Sequence, residues 1–308
     1  MIRYIVRRIL FLIPILFGVA VLIFSVIRLA PGDPAEIILG PMATQEEIAQ
    51  LRESMGLNKP LYQQFFAFVS GAVRGDLGRS LRTGNTVMEE IAGRIPVSVQ
   101  LALLSTFFSI LVGFPLGMLA ALKQNTLADT ACSFLALAGF SIPNFWLGLM
   151  LMLVFSIYIP VLPSSGYETW RHLILPTVVL GSQTMAVVAR MTRSSMLEII
   201  RQDYVRTAKA KGISDRLVLT RHIVRNALIP VVTVVGLYFG TALGGVVVTE
   251  TVFSIPGIGR LLVDAIRSQD YPMVQGGVLF FAFCIGIVNL GVDIVYAFLD
   301  PRIKAQYR

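Results

Sequence analysis

The sequence predicts an all-α integral membrane protein with six transmembrane helices, and three observations carry that reading. Of 308 residues, 55% are hydrophobic and only 14% charged, whereas a soluble domain carries nearer 25% charged residues. The apolar residues are gathered into runs of about 20 or more, the length a helix needs to cross the hydrocarbon of a bilayer. The excess of positive charge, +8 overall, is concentrated in short segments between those runs, as expected of loops that resist translocation and stay in the cytoplasm.

Arg3, Arg7 and Arg8 precede the apolar run from Ile9 to Leu29. That run is too long for the core of a secretory signal and lacks a small-residue cleavage site, so it reads as span one with its amino terminus inside. Residues 31–94 are polar, with acids and bases mixed, and fit an extracytoplasmic insertion. Within it Thr44 and Glu47 form a capping-box pattern ahead of a helix that stops at Gly56, and Leu61 to Val73 predicts a second helix with a Phe-rich face. Val97 to Leu122 is span two. Ala131 to Leu162 is uncharged and contains Pro143. It is long for one span and short for two, which predicts a single span kinked or broken near Ser141, Ile142, Pro143 and Asn144.

Leu173 to Ala189 is span four, and Ala227 to Val248 is span five, where Gly236 and Gly240 have the small-xxx-small spacing of close helix contact. The SIPGIG stretch within Glu250 to Pro272 is too polar to span. Gly276 to Leu299 is span six. Six spans place both basic ends and the basic central loop on one side. The organisation read from the chain is therefore an anchor helix (1–30), an insertion (31–94), a membrane core (95–299) with a cytoplasmic loop (190–226), and a basic tail (300–308).

The central loop carries the most pattern. From Arg190 to Arg225 the bases Arg190, Arg193, Arg201, Arg206, Lys209, Lys211, Arg216, Arg221 and Arg225 outnumber the acids Glu198, Asp203 and Asp215. Met196, Ile199, Ile200, Val205 and Ala208 fall near a helical period. Gly212, just past Lys209 and Lys211, is a helix stop. Ser214 reads as the N-cap of a following helix, with Ile213 and Val218 as a hydrophobic staple across its start. Read from residues alone, this is either a positive-inside anchor with a surface helix or a docking element for a cytoplasmic partner.

Chemistry of other kinds is absent from the sequence. His172 and His222 are the only histidines, no HExxH occurs, and without a Gly-Lys pair no GxxxxGK[ST] phosphate loop exists. Cys132 and Cys284 both lie in apolar runs, so neither a disulfide framework nor a metal site is expected. The basic residues follow topology and are not interleaved with aromatics, which argues against nucleic acid. Asn289 and Asp293 lie inside span six. An intramembrane carboxylate is either a functional group or an interior hydrogen bond near the span's end.

The segment YVRTAKAKG…RNALIP, Tyr204 to Pro230, resembles the cytoplasmic EAA loop of ABC-importer permeases. Arg206, Thr207 and Ala208 fill the family's triplet and Gly212 keeps its spacing. The missing Glu, and Pro230 eighteen residues past Gly212, are features of the peptide/nickel subfamily. RLAPGDPA, GLNKPLYQQF, RGDLGRSL, SIPNFW, RMTRSSMLE, TETVFSIPGIGRLLVDAI, DYP and DPRI agree in order along nearly the whole chain. They are most similar to the B-type subunit of dipeptide, oligopeptide and glutathione importers.

The resemblance implies the type I ABC-importer permease fold, in a bacterial or archaeal cytoplasmic (inner) membrane with both termini cytoplasmic. It implies a permease subunit for peptides, or alternatively for glutathione or nickel, that is not itself an enzyme. A second homologous permease, two ATPase subunits holding ATP and Mg, and an extracytoplasmic solute-binding protein would be its partners. Tyr204, Arg206, Thr207, Ala208, Lys209, Gly212 and Asp215 would couple to an ATPase. Ser141, Pro143, Asn144, Asn289 and Asp293 would line a pathway or gate. The alternative from a different class is a stand-alone secondary transporter or channel.

Overall fold

The computed structural model describes residues 2–29, 34–40, 42–54 and 56–299. Pro31 to Asp33 and the tail 300–308 lie outside the described residues. The helices in order are α1 (Ile2–Leu29), α2 (Pro34–Leu39), α3 (Gln45–Ser54), α4 (Leu61–Val73), α5 (Val87–Ala92), α6 (Ile95–Leu122), α7 (Leu127–Ser141), α8 (Asn144–Met152), α9 (Ile174–Ile200), α10 (Asp203–Ala210), α11 (Asp215–Leu217), α12 (Arg225–Val252), α13 (Ile258–Arg267) and α14 (Tyr271–Leu299). Two π-helical stretches, Leu153–Tyr158 and Val218–Val224, and a 3₁₀ turn, Trp170–Leu173, complete the helical set. Among the described residues no strand occurs, only an isolated bridge between Arg79 and Thr86.

Among the described residues, five helical stretches are long and apolar enough to cross a membrane, and a sixth is counted if α7 and α8 form one span. The break between them falls at Ser141–Asn144, as the sequence predicts. The bend there is 105°, so α7 and α8 form a corner rather than a gently kinked rod. Pro143 causes it: proline disfavours helical dihedrals in the residue before it, and Ile142 is extended at φ −78°, ψ 126°.

The chain divides into two compact units. The first comprises residues 1–96 and 256–290. Its core gathers Leu77, Val87 and Ile91 around one face of α13, whose Ile258, Leu261, Leu262 and Ala265 recur at helical spacing. The SIPGIG stretch, too polar to span, thus leads into a short amphipathic helix. Ser80 donates a 2.5 Å hydrogen bond to buried Asp270, whose other oxygen accepts the Leu81 N–H at 3.1 Å. The predicted α3 box forms: Glu47 N–H donates to Thr44 Oγ1 (3.3 Å) and Thr44 N–H to the Glu47 carboxylate (2.8 Å). That N–H holds the Glu47 carboxyl below its ordinary pKa. Thr86 and Glu89 form a second box at α5.

The second unit comprises residues 97–255 and, of the described residues beyond α13, 291–299. Here α9 is the central helix, packed by α12 and α7. Helix α6 approaches it backbone to backbone: a Cβ on Gly113 would stand 2.6 Å from the Met185 carbonyl oxygen, and one on Gly117 2.3 Å from that of Ala189. Lipid gives helices no hydrophobic reason to associate, so small residues that allow such closeness hold them together. Ser109 fixes the register by donating to the Gly181 carbonyl at 2.8 Å. Gly236, singled out in span five, faces Val292 at 2.9 Å from a would-be Cβ. At the far end of α12, Glu250 is fully buried and accepts a 2.6 Å hydrogen bond from buried Ser98.

Candidate functional site

The central loop is far shorter in space than in sequence, because α9 runs on through Arg190 to Ile200 and only 201–214 lies between it and the next long helical stretch. Within that interval sits α10. Its Val205 and Ala208 are buried with Met196, Val218, Ile223, Ala227 and Ala121, and Ile199, Ile200 and Ile213 pack around them. The five apolar residues that keep helical period in the sequence therefore do share one cluster, although the chain turns at Arg201–Gln202 between the third and the fourth. At roughly 1.5–3 kcal/mol for each fully buried aliphatic side chain, this seat holds a helix too short to be stable alone.

Gly212 ends α10 with φ +76°. Its N–H donates to the Lys209 carbonyl at 2.9 Å and the Ile213 N–H to the Ala208 carbonyl at 3.3 Å, the pair of bonds that defines a Schellman stop. Ile213 and Ala208 also share the apolar cluster, the hydrophobic contact that accompanies such a stop. No side-chain hydrogen bond caps Ser214. Its backbone is extended, and Ile213 and Val218 pack in the same cluster, so the predicted staple is present without the predicted cap bond.

Beyond Ser214 the expected helix forms, and it does not end before span five. Helix α11, the π-helical stretch and α12 follow one another without a non-helical residue from Asp215 to Val252. The helical stretch that carries span five therefore begins at Asp215 and is continuous with the seat of α10.

Outward, α10 and its stop present Tyr204, Arg206, Thr207, Lys209, Ala210, Lys211 and Gly212, all exposed. The Tyr204 hydroxyl accepts from Asn226 Nδ2 at 3.1 Å, tying the knob to α12. Lys209 pairs with Asp215 at 3.2 Å, both exposed, so the pair adds little stability. Of the seven residues singled out for coupling, six lie on this outer surface, and Ala208 is the one that faces inward.

The other candidates are dispersed. Ser141 and Pro143 are exposed at the corner between α7 and α8, and the buried Asn144 Oδ1 makes no hydrogen bond. Asn289 and Asp293 lie one turn apart on α14, the former in the first unit and the latter in the second.

One feature of the site escaped sequence reasoning. Asp129 at the start of α7 receives two hydrogen bonds from Arg193 on α9, from Nε at 2.7 Å and from a terminal nitrogen at 2.8 Å. The Asn125 N–H, at 3.0 Å, is a third donor. This clamp grips α9 one turn before buried Met196. Its signal is faint: a lone acid in the short polar stretch between α6 and α7, and an arginine among many in the basic segment that starts at Arg190.

Residues 113–305 match the family described as binding-protein-dependent transport system inner membrane component, and residues 1–102 match its N-terminal companion. The dipeptide transport system permease protein DppB of Alkalihalophilus pseudofirmus is 43% identical over 332 aligned positions, covering 99% of this chain and 100% of that protein. The glutathione transport system permease protein GsiC of Escherichia coli is 43% identical over 304, covering 99% of each. Among solved structures, an inward-facing MetNI methionine ABC transporter superposes with a TM-score of 0.55 at 16% identity, over 69% of this chain and 97% of that one. An amino acid ABC transporter solved with histidines gives 0.54 at 14%, over 70% and 94%. At such identities these two show a shared fold.

Proposed function

The chain belongs to the inner-membrane components of binding-protein-dependent transport systems, and from that membership we propose that it is the permease subunit of an ATP-driven peptide importer, coupled to its motor through α10. Relatives equally similar to this chain are a dipeptide and a glutathione permease, so short peptides, with glutathione among them, are the proposed cargo. The observation that carries the coupling role is the construction of α10. It is a short helix with a buried apolar face, a glycine stop and an exposed basic outer surface, seated on the continuous helix that becomes span five.

In this reading Tyr204, Arg206, Thr207, Lys209, Gly212 and Asp215 form the surface gripped by an ATPase subunit, and Ala208 anchors it from within. Two ATPase subunits hold ATP and Mg. A second, homologous permease completes the pathway, and an extracytoplasmic solute-binding protein delivers substrate to the 31–94 insertion and the α13 region. Both termini and α10 are cytoplasmic, because the positive residues cluster on their side. The corner at Ser141, Pro143 and Asn144, together with Asn289 and Asp293, is proposed to border the pathway. Non-helical backbone at membrane depth is tolerated where it buries against protein or lines a cavity.

The test is proximity. With Cys132 and Cys284 replaced by alanine, a cysteine at Ala210 in the assembled transporter should cross-link to an ATPase subunit, and one at exposed Leu61 on α4 should not. Failure at Ala210 under conditions where uptake persists defeats the coupling role. Uptake by the purified chain alone, without ATP, would instead favour a stand-alone secondary transporter or channel.

A further inference from the structure

Among the described residues of the first unit, a pair of cavities is arranged along α1, α4 and α14. One, of about 330 Å³, lies where α1 ends and α14 begins. Three polar atoms on its wall are buried and make no hydrogen bond: Arg28 Nε, the Tyr271 hydroxyl and Gln275 Nε2. All three can donate. Tyr271 and Gln275 are four residues apart and share a face of α14. The Arg28 guanidinium is held by a hydrogen bond to Gln64 and lies 5.4 Å over the Phe24 ring, so Nε is a positioned donor. A buried donor without an acceptor is costly, and three on one cavity wall mark a place built for an acceptor-rich group. Asp76, exposed at the same cavity, adds one negative charge.

The second cavity, of about 520 Å³, is walled by apolar residues, among them Leu16 and Ala20 of α1, Ala72 of α4, and Phe280 and Phe283 of α14. Leu77 borders both cavities. Ala20 is eight residues from Arg28 and Phe283 eight from Gln275, which sets the apolar cavity about 12 Å further along both helices. Beyond it α1 and α14 close together, since a Cβ on Gly286 would stand 2.7 Å from a Leu12 methyl.

Donors at the level where spans end, followed by an apolar slot of acyl-chain depth running toward the bilayer centre, match the layout of one lipid. We propose that a phospholipid is held between α1, α4 and α14. Its phosphate accepts from Arg28, Tyr271 and Gln275, and an acyl chain fills the apolar cavity. Asp76 at the head-group end favours an ammonium-bearing head group such as phosphatidylethanolamine. Placing this lipid in the outer leaflet rests on the topology of the importer reading; the lipid site does not.

The experiment uses the full-length chain, purified in detergent and washed, with bound phospholipid counted by mass spectrometry. The wild type should retain about one phospholipid per chain. Arg28→Met with Gln275→Leu removes two donors, and Ala72→Trp fills the apolar slot while leaving every donor in place; each should retain at least five-fold less. Adding phosphatidylethanolamine should raise the wild-type melting temperature. In a Phe280→Trp chain, brominated acyl chains should quench the new fluorescence. Equal retention by wild type and Ala72→Trp overturns the proposal. So does a melting shift reproduced by inorganic phosphate or by a dipeptide, which would make the donors a soluble-oxyanion site. None of the three readouts involves transport, so failure of the importer reading leaves this result standing, and the reverse.

Discussion

Gly212 allows the rigidity of the α10 knob to be adjusted in measured steps. At φ +76° the residue lies in the left-handed region, yet a Cβ there would meet nothing within 4 Å. Gly212→Ala therefore clashes with no packed neighbour, and its cost is that of the left-handed backbone alone, about 1–2 kcal/mol. The stiffer unfolded chain offsets about 0.5 kcal/mol of this, leaving a net cost of about 1 kcal/mol, or roughly a five-fold rise in the open population of the last turn. Gly212→Asn should fall between glycine and alanine, because asparagine tolerates left-handed dihedrals. Gly212→Pro forbids the conformation outright and removes the N–H that reaches Lys209, adding about 1 kcal/mol or more. Hydrogen exchange of amides 207–213 in the full-length chain, referenced to buried amides of α9, should rank glycine, asparagine, alanine, proline from slowest to fastest. In the assembled transporter, substrate imported per ATP hydrolysed should fall in the same order. An alanine variant that exchanges and transports as the wild type refutes the claim that this stop holds the knob rigid.

Other perturbations test the frame around it. Reversing either member of the Asp129–Arg193 clamp, by Asp129→Arg or Arg193→Asp, should lower the melting temperature, and the double reversal should recover much of the loss; single and double variants that melt alike would show that the clamp is idle. Gly117→Ala forces a methyl to within 2.3 Å of the Ala189 carbonyl and should destabilise the α6–α9 contact by about 1–3 kcal/mol, visible as reduced yield of folded chain, whereas Gly18→Ala, with open space around it, should not. Ser98→Ala removes a hydrogen-bond partner of fully buried Glu250 and should cost about 1–3 kcal/mol in thermal unfolding, with Ser98→Thr recovering part of it.

What the chain declared in advance was local. The Thr44–Glu47 box, the stop at Gly212 and the corner at Pro143 each depend on a few neighbouring residues and the dihedrals they permit, so the order of residues is enough to find them. What it concealed was pairing at a distance. Span two is apolar on all sides, and nothing in its pattern says that Gly113 and Gly117, rather than any other small residues, lie against α9. Asp129 and Arg193 are 64 positions apart, and each alone reads as an ordinary loop charge. The uninterrupted helix through Val218–Val224 was hidden for a different reason. Its charges, Arg216, Arg221 and Arg225, marked a loop by composition, while the backbone kept helical geometry and left them at the surface.

That uninterrupted stretch has a mechanical consequence. From Asp215 to Val252 it amounts to a rod of about 55 Å, fastened at one end among the residues that cradle α10 and at the other by Glu250 against Ser98. A push delivered to one fastening cannot be absorbed by a hinge loop, because the rod contains none. The wide turns of its π-helical stretch, and Pro230 within α12, whose ring removes one rung of the hydrogen-bond ladder, are where its winding departs from a regular helix and where a change of pitch could be taken up. Motion at the basic end must otherwise reach the buried glutamate as tilt.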